Sequence, residues 1–433
     1  MKKSQKEILD KLGIEALNSM QEDALLGIEH SAEIVLLSAT GTGKTLAFLL
    51  PILQTIDPNN PEVQSLILVP SRELAIQIEQ VLRDMGSGFK VNAVYGGRPI
   101  AKDKEELKHP PAIVIGTPGR LNDHLRRGTF SSKNIKFLVL DEFDKSLEVG
   151  FEEDMKEIIQ ALPKPDKIVL TSATQGVEIP DFVGIKNPLY IDYLADTKPK
   201  LEVKTIISPS KDKLETLFHT ICHLGNQPGI VFCNFKDSIE RVSNFLDSKN
   251  IAHGCFHGGM EQTDRERVLI KFRNGTIQLI IATDLAARGL DIPEIKFIIH
   301  YHLPLKKEEF IHRNGRTARM HREGSAYLIK WSEEVLPDFI KNSQIQAIED
   351  KAIPEKPDWT TVFVSGGRRD KISKSDIAGL FSKQGKLGQG ELGLIELKQD
   401  CAFVAVKSSK LSQLLTFVDN VKLKNKKVRV KEI

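Results

Sequence analysis

The chain is poor in the residues that mark extracellular or membrane proteins. Its 433 residues contain 4 cysteines, Cys222, Cys233, Cys255 and Cys401, with no C-x-x-C spacing. That pattern argues against a zinc site or a disulfide framework and for a reducing compartment, so a cytoplasmic location is expected. No uninterrupted apolar run is long enough to span a bilayer, which leaves no expectation of a membrane partner. Met1-Lys2-Lys3 leads into charged sequence with no apolar h-region, so no signal peptide is expected. Aromatic residues make up only 6%, and none precedes Phe48. What is present is 40% hydrophobic and 27% charged, an ordinary α/β composition with length for two to three domains.

The net charge of +3 conceals an asymmetry. Residues 360–433 hold 15 Lys and Arg against 7 Asp and Glu, a net of +8, which leaves −5 for residues 1–359. Clustered positive charge attracts phosphates and releases counterions, so nucleic acid is the natural partner of the last segment. The bland alternative is a solvated basic surface.

Short apolar runs alternate with helical spacing. The runs are Ile34–Leu37, Leu66–Val69, Ala112–Ile115, Phe137–Leu140 and Ile168–Leu170. After Lys204 the pattern restarts, with runs at Gly229–Phe232, Leu279–Ala282, Phe297–His300 and Ala326–Ile329. Buried parallel strands joined by helices read this way. The spacing predicts two α/β domains in residues 1–197 and 198–350, with a connection around Asp196–Lys200. A Pro-bearing linker at 351–359 precedes a small α+β domain at 360–433. Its expected order is strand Thr361–Val364, helix Lys374–Gln384, a β-hairpin partner ending in strand Cys401–Val406, helix Leu411–Val418 and strand Lys427–Val430. That β-α-β-β-α-β order is RRM-like.

Ser38-Ala39-Thr40-Gly41-Thr42-Gly43-Lys44-Thr45 follows a strand and opens a helix, the context of a P-loop. The glycines let backbone N–H groups turn toward an anion, and the helix N-terminus adds its dipole. Lys44 is expected to reach the β/γ-phosphates of ATP and Thr45 to ligate Mg²⁺. Asp141-Glu142-Phe143-Asp144 ends an apolar strand. Three carboxylates there need a compensating partner. Asp141 is expected to hold the metal through its water shell, and Glu142 to orient and deprotonate the attacking water. An acidic helix cap is the structural alternative.

The ordered motifs resemble the DEAD-box helicases of superfamily two across roughly residues 10–350. In the first domain they are Pro70-Ser71-Arg72-Glu73, Gly96-Gly97, Thr117-Pro118-Gly119-Arg120, Asp141-Glu142-Phe143-Asp144 and Ser172-Ala173-Thr174. The second supplies Val231–Asn234, Gln262–Arg265, Ala282-Thr283-Asp284 through Arg288-Gly289-Leu290-Asp291, and His312–Arg319. The resemblance implies two tandem RecA-like domains that close on ATP and RNA. It implies Arg316 and Arg319 as arginine fingers and Asp291 at the ribose. It also makes Asp144, Ser172, Thr174 and His312 the network that couples the two sites. Pro70, Arg72, Gly97, Arg98, Thr117, Gly119 and Arg120, with Arg265, Thr283, Arg288 and Gly289, would form an RNA track that grips phosphates and 2′-hydroxyls.

The last 73 residues resemble the RNA-binding domain of the DbpA group of bacterial DEAD-box proteins, through Val362–Gly367, Gly393-Leu394-Ile395, Phe403–Val406 and Lys427–Val430. That resemblance implies a hairpin of large-subunit ribosomal RNA as target and ribosome assembly intermediates as partners. Phe363 and Phe403 alternate onto one sheet face, where they either stack bases or only pack. Arg368, Arg369 and Lys427, with neighbouring lysines, are candidates to grip the RNA backbone. The whole reads as a monomeric RNA-stimulated ATPase that separates short duplexes. The rivals are an ATP-switched RNA clamp with little unwinding and a DNA helicase.

Two departures stand out. Phe143 occupies the place of the family's Ala in the acidic box. Gly13–Gln21 resembles the Q motif, in which Gln21 would read the adenine edge, but Leu17 and Asn18 replace the usual Pro and Thr and the upstream aromatic is absent. Weaker discrimination of ATP from GTP is the expected outcome. Steady-state turnover with each nucleotide checks it, and strict ATP dependence would show that Gln21 suffices without stacking.

Overall fold

The computed structural model describes residues 3–174, 178–194, 201–284, 295–317, 324–340 and 343–433. The predicted apolar runs become strands of two parallel sheets. The first contains β1 (Glu33–Leu37), β2 (Ser65–Leu68), β3 (Val91–Val94), β4 (Ile113–Gly116), β5 (Phe137–Leu140), β6 (Lys167–Ser172) and β7 (Leu189–Asp192). They lie in the order β3-β4-β2-β5-β6-β1-β7. Alternation along each strand feeds two cores. Ile34, Leu36, Ile67 and Val139 pack on one face, Val35, Leu37, Leu66, Leu138 and Leu140 on the other. Helices cover both faces, which is why these strands read as unbroken apolar runs rather than alternating ones.

The second sheet contains β8 (Leu201–Ser208), β9 (Gly229–Phe232), β10 (Gly254–Phe256), β11 (Leu279–Ala282), β12 (Phe297–His300), β13 (Gly324–Trp331) and β14 (Gln344–Ile345), in the order β10-β11-β9-β12-β13-β8-β14. Strands β3, β7, β8, β10 and β14 escape the sequence pattern. β3, β7, β10 and β14 are the sheet margins, where one edge lacks a partner and short or polar-mixed runs suffice; the Leu189–Asp192 strand buries only Ile191. β8, next to the margin, carries Glu202 and Lys204 and so does not look apolar. The expected connection at 196–200 lies outside the described residues.

The small domain has a four-stranded antiparallel sheet of β15 (Trp359–Val364), β16 (Leu392–Leu397), β17 (Ala402–Lys407) and β20 (Val430–Glu432), ordered β16-β17-β15-β20. The C-terminal end differs from the expectation. The stretch taken as one last strand is split. Lys426–Val428 (β19) pairs with Val421–Leu423 (β18) in a separate hairpin, and only Val430–Glu432 joins the sheet. Lys424 turns the hairpin with a positive φ of 53°, and Asn420, with φ 58°, leads into it.

This sheet packs its aromatic-bearing face against the second α/β layer. Thr361, fully buried, receives a hydrogen bond from Asn274 Nδ2 (3.1 Å) and shares one with the Thr276 hydroxyl (2.6 Å). Arg273 grips Glu396 with two bonds of 2.6 and 3.0 Å. Bidentate pairs of this kind are the stronger ion pairs.

A buried polar knot centres on Arg313, which is 1% exposed. Its guanidinium donates to both Asp284 oxygens (2.6 Å each), to Asn234 Oδ1 (2.8 Å) and to the His302 carbonyl (2.8 Å). It also lies over the Phe232 ring, 5.2 Å from the centroid. His300 bonds Asn314 through Nε2 (3.0 Å) and turns Nδ1 toward Arg313. Burial, reinforced by the Arg313 charge, lowers His300 to about 3. Burial and nearby Lys213 and Arg313 lower His302 to about 4. Both rings are held neutral in the folded chain, while the unfolded chain protonates them near pH 6.5. Stability is therefore present above that pH and is lost as pH falls toward 4. His300 alone accounts for about 2 kcal/mol between pH 7 and 5. Trp331 and Trp359 both lie in this part of the chain. Urea unfolding followed by tryptophan fluorescence should show a lower midpoint at pH 5 than at pH 7.

Candidate functional site

β1 ends at Leu37, and the chain turns through Ser38–Gly43 into the helix Lys44–Thr55. Gly41 and Gly43 have φ of 83° and 90°, a region that glycine enters without strain. Gly43 is constrained twice, because a Cβ there would lie 2.4 Å from the Gln21 amide nitrogen. Lys44 is buried, and its Nζ donates to the carbonyls of Ser38 and Ala39, the latter at 2.9 Å. Thr42 Oγ1 donates to Ala39 O at 2.9 Å. Thr40 and Thr45 flank the turn, both half-buried.

The Q-like segment grips this loop directly. Asn18 caps the helix Ser19–His30 and exchanges hydrogen bonds with Gln21. Asn18 Nδ2 donates to Thr42 O (3.0 Å) and Gln21 Nε2 to Gly43 O (3.2 Å). One N–H and one lone pair of the Gln21 amide are thereby used, which fixes its orientation and leaves one of each for a base edge.

The acidic box follows β5, beside the end of β6. Asp141 is 3% exposed. Burial, together with the Glu142 charge, raises its carboxyl to about 6. The Thr171 hydroxyl, Lys44 and the Glu142 N–H act in the opposite direction. Asp144 receives the Thr174 hydroxyl (3.1 Å) and the Lys145 ammonium (3.0 Å). Ser172 Oγ lies 3.2 Å from Thr174 Oγ1 and accepts the Thr174 N–H (3.0 Å). Phe143 is 2% exposed in the core beside Leu140 and Leu170, so the bulky residue is accommodated by burial.

On the track side, the Arg72 guanidinium lies over Gly97, where a Cβ would come within 2.4 Å of it. Pro70 and Thr117 are buried at the ends of their strands, and a Cβ on Gly119 would approach Asp154 to 3.3 Å. Arg98 and Arg120 converge on Asp103, a residue the sequence did not single out and which is fully buried. Arg120 Nε donates to Asp103 Oδ2 (2.7 Å), and His124 Nε2 lies 3.0 Å from the same oxygen. Arg98 Nε is 2.7 Å from Oδ1, an ion pair without hydrogen-bond alignment. Burial pushes the Asp103 carboxyl up, but His124, Arg120 and Arg98 outweigh it and hold it below the ordinary carboxylate range. Arg120 also donates to the Arg98 carbonyl (2.7 Å). The Gly96–Arg98 and Thr117–Arg120 segments are thus tied through one carboxylate.

In the second α/β part, Arg265 is buried with its guanidinium over the Phe256 ring at 4.8 Å, and Thr283 follows β11 nearby. His312 and Arg316 are 7% and 6% exposed at the end of the helix Lys307–Asn314. Arg288, Gly289, Asp291 and Arg319 lie outside the described residues. Arg313, within the same motif as Arg316, was passed over in the sequence, although the motif itself pointed to it.

In the small domain, Phe363 and Phe403 face each other across the strands, edge to face at 5.7 Å. Phe403 is 8% exposed, so it packs rather than offers a stacking surface. The basic residues gather elsewhere. Lys426 pairs with Asp370 (2.8 Å) and ties the hairpin to the Arg368–Asp370 turn, and Lys424 pairs with Asp376 (2.6 Å) at the start of the helix Lys374–Lys383. Arg368, Arg369 and Lys371 on that turn, and Lys422 and Lys427 on the hairpin, are exposed.

Replacing Asp103 by Asn removes the buried charge shared by two half-buried guanidiniums, leaving Arg98 only its Glu106 partner and Arg120 none of its ion pair. A loss of about 3 kcal/mol in urea unfolding is expected. An unchanged midpoint would show that the arginines hold themselves in place without it.

Comparison with known proteins identifies the family. The chain matches the DEAD/DEAH box helicase family over residues 18–182, the helicase conserved C-terminal domain over 212–321 and the DbpA RNA binding domain over 361–432. It is 30% identical to the ATP-dependent RNA helicase DbpA of Bacillus subtilis, over 98% of this chain and 96% of that one. It is 31% identical to the protein of the same name from Escherichia coli, with the same coverage of 98% and 96%. The solved structure of S. cerevisiae Dbp5 bound to RNA and ADP BeF3 matches with a TM-score of 0.67 at 27% identity, covering 76% of this chain and 88% of that one. With a P-loop, an acidic box and a basic C-terminal domain placed as described, the chain belongs to the DEAD-box ATP-dependent RNA helicases, in the group that carries a DbpA-type RNA-binding domain.

Proposed function

We propose that this helicase separates short duplexes within large-subunit ribosomal RNA, acting on ribosome assembly intermediates as a cytoplasmic monomer. The observation that carries the targeting is the exposed basic corner of the small domain. Lys422 and Lys427 stand directly opposite each other across the hairpin. Like charges so placed repel, and a phosphate between them relieves the repulsion. That this corner sits on a domain of the DbpA type favours ribosomal RNA over RNA in general.

The residues of the first sheet fit Mg²⁺–ATP. A left-handed glycine turn opens a helix with Lys44 at its start, and a fully buried carboxylate, Asp141, stands within electrostatic reach of that lysine. Bound Mg²⁺ would neutralise phosphate charge, held by Thr45 and Asp141. Lys44 and the loop amides would hold the phosphates, and Gln21 the base. Glu142 would orient a water toward the γ-phosphorus and take its proton as the bond to ADP breaks. Arg316 and Arg319 would stabilise charge on the transferring group, with Asp291 on the ribose. Asp144, Ser172, Thr174 and His312 would couple this chemistry to the track of Pro70, Arg72, Gly97, Arg98, Thr117, Gly119, Arg120, Arg265, Thr283, Arg288 and Gly289. That S. cerevisiae Dbp5 holds RNA and ADP BeF3 together supports joint occupancy.

ATP hydrolysis is to be measured with large-subunit ribosomal RNA and with mass-matched non-ribosomal RNA at fixed salt. A strong preference for ribosomal RNA is expected. It should fall about tenfold in the Lys422→Ala, Lys427→Ala double variant, whose binding should also lose about one unit of salt dependence per cation. Equal stimulation by both RNAs would reduce the small domain to a general RNA anchor.

A further inference from the structure

The acidic box and the Ser172–Thr174 segment leave one polar contact unassigned, and it belongs to Thr171. This residue is fully buried near the end of β6. Register places Leu170 opposite Leu140, so Thr171 stands beside Asp141 just past the end of β5. Its hydroxyl donates to Asp141 Oδ1 and accepts the Glu142 N–H at 3.1 Å. The same N–H lies 3.1 Å from Asp141 Oδ1. One hydroxyl thus touches both the carboxylate given to the metal and the peptide of the residue given to the water.

That peptide is unusual. Glu142 has φ 48° and ψ 49°, a left-handed conformation that few residues other than glycine, Asn and Asp adopt. Such a conformation persists only where its surroundings over-determine it. Here the restraints lie on both sides. Phe143 is fixed in the core, and the Glu142 N–H is held by Thr171 and Asp141. Valine would match the shape of Thr171 while removing the donor from Asp141 and the acceptor from Glu142.

We propose that Thr171 is a positioning residue for hydrolysis, its hydroxyl setting the orientation of the Asp141 carboxylate and the left-handed backbone of Glu142. Fully buried behind the two acids, it acts through these two neighbours. The assignment rests on the roles given above to Asp141 and Glu142. It divides the end of β6 into two duties, with Thr171 serving the first two acids and Ser172 with Thr174 serving the third.

The test uses the full chain with Thr171→Val and Thr171→Ser, and Thr171→Ala as a second hydroxyl-free variant. RNA-stimulated turnover in excess Mg²⁺ should fall at least about tenfold in Thr171→Val. The KM for ATP should change less than about twofold, and Thr171→Ser should recover most of the rate. A separate readout is binding of fluorescent ADP against free Mg²⁺. Thr171→Val should need several-fold more Mg²⁺ for half-saturation, with unchanged affinity in chelator. A merely structural role would lower the melting temperature without moving the Mg²⁺ dependence. If Thr171→Val does not fold, Ala against Ser decides, since these two differ only by the hydroxyl. Folded hydroxyl-free variants with unchanged turnover and Mg²⁺ dependence would overturn the proposal, as would a Ser variant no better than Ala. Failure of the unsubstituted chain to hydrolyse ATP would instead sink the functional reading beneath it.

Discussion

Three carboxylates at the end of one buried strand are the constraint around which the first sheet is arranged. Carboxylates removed from water are unstable as anions unless neighbours replace the lost hydration. The chain replaces it with short, neutral hydroxyl side chains from the adjacent strand and with two lysines, Lys44 and Lys145. Hydroxyls suit this task because they can donate to an anion and accept from a backbone N–H at once. Parallel order makes the supply local, since all strands end on the same side and β6 lies between the P-loop strand and the acidic strand. Gln21 and Asn18 lie against the P-loop turn, so that the segments proposed to read the base and to hold the phosphates share hydrogen bonds.

The second α/β part meets a similar problem with opposite sign. Arg313 is a buried cation, and it is balanced by Asp284, an amide, a carbonyl and an aromatic face. Its histidine neighbours favour the neutral form, because burial and then the adjacent cationic charge oppose a second positive charge. The first part thus balances buried anions, and the second a buried cation. Hydrolysis needs both signs, an anion to orient water and cations to receive the phosphate charge.

Much of this was legible from residues alone. Apolar runs of four, ended by polar loops, marked the interior strands because burial on both faces demands them. The P-loop and the acidic box were legible because their chemistry needs those residue types in that order. Edge and near-edge strands such as Leu201–Ser208 were not, since a strand partly open to solvent has no reason to be uniformly apolar. Asp103 and Thr171 were hidden for another reason. Each draws together residues from separate segments of the chain, and neither belongs to a spacing that chemistry fixes. The split of the last strand was missed because Arg429 interrupts the hairpin and the sheet at a point that alternation does not reveal. Phe403 is buried and edge to face with Phe363, an outcome that no local pattern announces.

The sharing of Asp103 by Arg98 and Arg120 makes a joint of two loops. Each guanidinium is already held by the same buried anion, and Arg98 by Glu106 as well, so little rotational freedom would remain to be lost on meeting a phosphate. Neither loop can shift without the common carboxylate moving or losing a partner. On the proposed RNA-binding role, a strand held at one loop would be registered at the other, and the two loops would act as a single gauge of backbone spacing rather than as separate charges.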